Sequence, residues 1–213
     1  MRQSTGLAIA VGLAAAPAVA ETFNADVWAD NWFSLYIDGE MVAEDSVSIT
    51  TERSFNAESF SFEAERPFVI GLYAKDFKEN DTGLEYIGSN RQQMGDGGVI
   101  LQITNAAGEL VVVSDDGWRC LVTHQAPLDK SCESEDNPVA GSGACSFNEI
   151  DVPEGWAAAG YDDSGWVAAN LYSESEVSPK MGYDEIDWHK SAQLIWGADL
   201  ETDNSLLCRK TIE

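Results

Sequence analysis

The segment Gly155-Trp156-Ala157-Ala158-Ala159-Gly160-Tyr161-Asp162-Asp163-Ser164-Gly165-Trp166 sets two tryptophans on either side of an acidic turn. Asp and Ser side chains accept hydrogen bonds from backbone amides two residues on, so Asp162, Asp163 and Ser164 are expected to cap their own turn. Gly165 supplies a residue that tolerates positive φ. Such a turn gives the two rings a fixed platform, with Trp166 expected to fill the core. This pattern reads as the corner of an all-β domain.

The residues to either side agree. Phe33-Ser34-Leu35-Tyr36-Ile37 runs into Asp38-Gly39, a strong hairpin dipeptide, and then into Met41-Val42-Ala43. Phe60 to Ala64 alternates with period 2, and Phe68 to Ala74 is an apolar run after Pro67. Val99 to Thr104 and Leu110 to Val113 flank Ala107-Gly108, a second hairpin. Trp118 to Thr123, Leu194 to Trp196 and Leu206 to Ile212 bring the expectation to about eight to ten strands with sandwich-like spacing. Lys75 to Gly98 and Gln125 to Cys145 are long polar connections, where binding residues often sit on a β scaffold.

Residues 1–20 carry the marks of an export signal: Arg2, the apolar run Leu7 to Ala16, and Ala18-Val19-Ala20 as a cleavage site before Glu21. The expected mature protein is residues 21–213, one domain, periplasmic or secreted. The full chain of 213 residues has a formal net charge of −25, and removal of Arg2 with the signal leaves about −26. Phosphate recognition needs a basic face, so nucleic acid is excluded as an expected partner, and no segment is suited to membrane insertion. Most of these acids are expected to be a solvated surface, with calcium as the ligand a subset of them could gather.

The four cysteines, Cys120, Cys132, Cys145 and Cys208, allow three connectivities. Cys120 and Cys208 lie in apolar strand-like runs, whereas Cys132 and Cys145 bracket a polar loop. Pairing like with like favours 120–208 and 132–145. A zinc site is the alternative, but no C-x-x-C spacing supports it.

Four passages together carry a family likeness. They are Ala29-Asp30-Asn31-Trp32-Phe33-Ser34-Leu35-Tyr36-Ile37-Asp38-Gly39, Ser114-Asp115-Asp116-Gly117-Trp118, the Trp156–Trp166 corner, and Ala192-Gln193-Leu194-Ile195-Trp196 with Asn204 through Lys210. The chain resembles the galactose-binding-like jelly rolls that serve as non-catalytic modules of glycoside hydrolases, including accessory domains of α-L-rhamnosidases and β-galactosidase relatives. The resemblance implies an all-β, jelly-roll β-sandwich with a lectin-like, carbohydrate-binding role and no catalysis. Cys208 departs from the family pattern, in which an aromatic residue is common at that place.

Sugar faces stack on exposed aromatic rings. Trp28, Trp32 and Trp188 lie beside polar residues and are the candidates for carbohydrate contact; Trp118, Trp166 and Trp196 read as structural. For calcium, the candidates are Asp76, Asn80, Asp81 and Glu85, which cluster in the first long loop without an EF-hand ligand order. His124 and His189 are the only histidines and have no local partner motif, which leaves a metal carrier as a minor reading. Paired carboxylates for glycosidase chemistry can always be drawn from 37 acids, so no catalytic pair is assigned. The expected partner is a polysaccharide or glycan; the alternative is an envelope protein, with the sandwich acting only as a scaffold.

Overall fold

The computed structural model describes residues 19–213, so the expected export signal lies outside the described residues except for its last two. Strands carry most of the regular structure: β1 (Glu21–Asp30), β2 (Trp32–Ile37), β3 (Glu40–Glu44), β4 (Ala57–Ala64), β5 (Phe68–Lys75), β6 (Leu84–Glu85), β7 (Gln93–Met94), β8 (Gly98–Asn105), β9 (Leu110–Val113), β10 (Arg119–Gln125), β11 (Asn148–Glu149), β12 (Val167–Ala168), β13 (Asn170–Tyr172), β14 (Leu194–Trp196) and β15 (Asp203–Ile212). Among the described residues one short α-helix, α1 (Glu174–Val177), and three 3-10 turns, Lys130–Ser134, Gly143–Cys145 and Tyr183–Glu185, lie between them.

Two antiparallel sheets form a β-sandwich compatible with a jelly roll. One runs β13-β14-β8-β1-β4, with β9 also paired to β8; the other runs β11-β10-β15-β5-β2-β3, with β12 also paired to β10. Alternate residues of facing strands fill the space between them: Phe23, Val27, Leu101 and Ile103 from the first sheet meet Phe33, Leu35, Leu72, Leu206 and Cys208 from the second. Trp118 and Trp196 belong to this core, and each indole N–H is satisfied, by the carbonyl of Val113 (2.9 Å) and of Asp203 (2.6 Å).

The outer face of each sheet is partly roofed by an irregular segment. Residues 153–166 lie over the second sheet, where Trp156, Ala157 and Trp166 pack with Leu207, Tyr36 and Tyr73. The Trp156 and Trp166 rings stack at 6.4 Å between centroids. Trp166 therefore fills a separate outer cluster rather than the core between the sheets. Gly155, with φ of 68°, takes the left-handed conformation expected of Gly165. Asp162 caps the turn as expected, accepting from the Ser164 amide at 3.0 Å, but Asp163 accepts from Arg209 Nε at 2.8 Å. Residues 173–192 roof the first sheet, packing Val177 and Tyr183 over Trp28 and Ile100.

Both disulfides have the favoured pairing, Cys120–Cys208 and Cys132–Cys145. The first joins directly opposed residues of β10 and β15 inside the core. The second secures the long connection after β10 against β6 and β7, where Leu84 and Met94 pack on it. The two long connections thus pack on each other, with Gln92 Nε2 donating to the carbonyls of Glu133 (2.8 Å) and Glu135 (2.9 Å). Two disulfides suit an oxidising environment, and among the described residues no helix is long and apolar enough to cross a membrane.

Candidate functional site

The second sheet presents three outward rows, fixed by strand register. Trp32, Lys75 and Ser205 form one row; Ser34, Tyr73 and Leu207 the next; Tyr36, Gly71 and Arg209 the third. The 153–166 segment roofs the last two rows. It sits so close that a Cβ on Gly71 would lie 2.8 Å from the Ala157 methyl carbon and 3.0 Å from the Trp156 ring. The first row stays open.

Over that open row lies a groove of about 380 Å³, lined by Tyr73, Lys75, Ser205, Thr123 and Glu149, with Ile49 and Val152 on its rim. This volume is in the range of small-molecule sites. Trp32 stands beside the groove, half-buried, with its ring centroid 6.2 Å from that of Tyr73. Lys75 Nζ lies 5.0 Å from the Trp32 ring and 4.6 Å from the Tyr73 ring, a cation–π arrangement that orients the amine. Burial lowers the Lys75 pKa from its ordinary value. His124 closes the inner end: its Nδ1 is 2.9 Å from Asn204 Oδ1, its ring stacks on Phe147, and burial holds its pKa below the usual value.

The three candidate tryptophans do not form one platform. Trp28, expected to be exposed, is fully buried under the 173–192 roof, its Nε1 donating to the Met181 carbonyl at 3.0 Å. Trp188 is half-buried on the first sheet's side, packed on Tyr183 with its Nε1 bonded to the Tyr183 carbonyl at 3.0 Å. Trp188 lines a shallow cavity of about 610 Å³ on the first sheet's side, and Trp32 stands beside the groove on the second, near its Lys75 and Tyr73.

The candidate calcium ligands also divide. Asn80 is spent on its own turn, accepting from the Thr82 amide at 2.9 Å, and Asp81 is paired with Lys78. Asp76 and Glu85 instead turn inward. Among the described residues one group of three or more candidate ligands converges: Asp30, Asp76 and Asp96, with a carboxylate oxygen of each within 4.8 Å of the others. Neither histidine belongs to it, and His189 is exposed, with Nδ1 2.6 Å from Ser191 Oγ.

The ends of three strands bring these acids together. Asp30 closes β1, opposite Gly98 at the start of β8, and Asp76 follows β5. Asn31 ties the strand ends, its amide donating to the Lys75 carbonyl at 2.8 Å while its Oδ1 accepts from the Phe77 amide at 2.6 Å. Asp96 enters from Gly95-Asp96-Gly97-Gly98. A Cβ on Gly95 would lie 1.7 Å from Asp76 Oδ2, and one on Gly97 2.3 Å from the Trp196 ring, so this approach requires glycine.

Asp30 is 0% and Asp76 2% exposed, and none of their four carboxylate oxygens has a hydrogen-bond partner. Lys180 bonds Asp96 at 2.8 Å but stays 3.7 Å from Asp30. Burial first, then the neighbouring acids, pushes both aspartates well above the usual carboxylate range. Burial likewise pushes Glu85 up to about 7, although Gln93 donates to it at 3.0 Å. A cavity of about 230 Å³ lined by Glu85, Asp96 and Lys180 adjoins the cluster. Sequence reasoning missed Asp30 and Asp96; the glycines around Asp96 were the available signal.

The search for related proteins found no matching family model, no matching curated protein and no matching solved structure, so the likeness to galactose-binding-like modules has no detected relative behind it and the chain is shown only to be an antiparallel β-sandwich.

Proposed function

We propose that this protein is an exported, non-catalytic carbohydrate-binding β-sandwich, and that the groove over the Trp32–Lys75–Ser205 row holds the sugar. The single observation behind this reading is the composition of the groove together with Trp32 at its edge. Trp32 and Tyr73 offer apolar ring surface for the C–H face of a pyranose, while Lys75, Ser205, Thr123 and Glu149 offer donors and acceptors for its hydroxyls. Aromatic ring surface beside many hydrogen-bonding side chains, with Lys78 and Asp151 also on the lining, is chemistry that can orient a hydroxyl-rich ligand. The chain has a net charge of −25, so the reading favours neutral or cationic glycans over acidic ones.

A glycan array, followed by affinity electrophoresis in soluble polysaccharides, tests this. Binding is expected for the parent protein and a loss of at least about tenfold for Trp32→Ala, the size of one stacking contact. Trp188→Ala, on the other sheet, is expected to bind as the parent does. Absence of binding to every glycan, together with co-purification of a stoichiometric envelope protein, would replace this reading with that of a protein-interaction scaffold.

A further inference from the structure

We propose that Asp30, Asp76 and Asp96 form a binding site for one divalent cation, calcium by its chemistry, which fastens the end of β1, the end of β5 and the approach to β8. Asp76 also lines the groove, but the inference rests on the state of the carboxylates and not on what the groove binds.

Clustered acids are common on so acidic a chain, and alone they say little. Here the second observation is the state of the oxygens. Asp30 and Asp76 are each at least nine-tenths buried, and all four of their carboxylate oxygens lack a hydrogen-bond donor. A buried, unpaired carboxylate is costly, and folded proteins pair such groups or place them on a metal. Lys180 does not repair the deficit. It is bonded to Asp96, is 45% exposed, and lies beyond hydrogen-bond distance of Asp30.

The donor set selects the ion. All the converging atoms are carboxylate oxygens, which suit hard cations and not zinc or copper. Oxygens on a common calcium at about 2.3–2.6 Å can stand up to about 5 Å apart, and the three acids fall within 4.8 Å. The smaller magnesium ion demands a tighter, near-octahedral shell and retains its waters, which three side chains on separate strand ends supply poorly. The cavity beside Glu85 and Lys180 reaches the cluster at Asp96. The ligands come from residues 30, 76 and 96, so an ion here would hold together chain segments distant in sequence.

The test uses the full mature protein, stripped with EDTA and titrated with calcium chloride, then with magnesium chloride, by calorimetry and thermal melting. One calcium per chain and a calcium-dependent rise in Tm are expected, with magnesium much weaker. Asp30→Asn and Asp96→Asn should each weaken calcium binding by about a hundredfold or more, exceeding the usual effect of losing a mere outer-shell contact. In EDTA, Asp30→Asn should melt no lower than the stripped parent, because it replaces a buried carboxyl group whose oxygens have no hydrogen-bond donor. Asp96 is partly exposed, so Asp96→Asn gives a second folded variant should the first fail. Asp81→Asn, outside the cluster, should keep the parent's response. No calcium bound at millimolar concentration, or an equal response in parent and both cluster variants, would overturn the proposal.

Discussion

Arg209 and the Asp30–Asp76–Asp96 cluster are both buried charged sites, and they are satisfied very differently. Arg209 is 3% exposed, yet its guanidinium is engaged on every side. Nε donates to Asp163 at 2.8 Å, Nη1 to the carbonyls of Trp156 and Ala158, and Nη2 to that of Tyr161, with the Tyr161 ring stacked at 5.3 Å. The planar fork of arginine matches these fixed acceptors, which lysine could not do. The aspartate cluster has the opposite character: the buried oxygens of Asp30 and Asp76 have no donor, and one lysine bonds only Asp96 at the rim. A charge whose hydrogen bonds are complete within the chain serves the fold. One whose bonds are incomplete points to something beyond it.

The contrast yields graded predictions. The largest effect is expected at Arg209. Arg209→Ala strands Asp163 and three carbonyls under the 153–166 roof and should cost about 3–5 kcal/mol in urea unfolding; Arg209→Lys should recover less than half. Gly95→Ala comes next. Its methyl would meet Asp76 Oδ2 at 1.7 Å, and the overpacking should cost about 1–3 kcal/mol while removing the calcium response. If that variant keeps both parent stability and calcium binding, the close approach of the Gly95 backbone to Asp76 is not what shapes the cluster.

Asp45 is an intermediate case that tests the same logic by pH. Its Oδ1 accepts from the Val47 amide at 2.8 Å, but its buried Oδ2 has no partner. Burial pushes its pKa up to about 7 from an ordinary 3.8, against that hydrogen bond. A raised acid favours the folded state when protonated. Its contribution is therefore complete below about pH 4 and is lost as pH rises through about 7. Asp45→Asn should flatten the stability profile in that window and raise the urea midpoint at pH 8; an unchanged slope would contradict the assignment. The smallest effect is expected for Asp163→Asn, about 1 kcal/mol by urea unfolding, because Arg209 keeps its three carbonyls.

The sandwich was legible where alternation was strong. The hairpin at Asp38-Gly39, the runs around Phe68 and Leu206, and both disulfides follow from side-chain period and cysteine environment. β1 was not read as a strand, although it is an interior strand of its sheet, between β8 and β4. Its inward residues Ala25 and Ala29 are small, and Asn24 and Asp26 on its outer face have low strand propensity. The Trp156–Trp166 segment was read as a corner contributing to the core. It is instead a roof on an outer face, because its acid pairs with a strand arginine 46 residues away, which no local pattern discloses.

The same limit applies to function. Asp76 and Glu85 were marked as ligands, but with Asn80 and Asp81, their neighbours in sequence. The fold pairs Asp76 with Asp30 and Asp96 instead, because register places β1, β5 and the glycine run at one end of the sandwich. Trp32 was marked for its polar surroundings and does stand beside a groove. Trp28 carried the same signal and is buried, since a roof segment about 150 residues later covers it.

Diffraction from a crystal grown with calcium, measured for anomalous signal, asks most directly whether the unpaired acids are completed by a cation. The expected result is one calcium peak enclosed by the carboxylates of Asp30, Asp76 and Asp96, at about 2.3–2.6 Å from their oxygens. A map with no peak there, and with the aspartates instead bonded to one another, to Lys180 or to water, would contradict it.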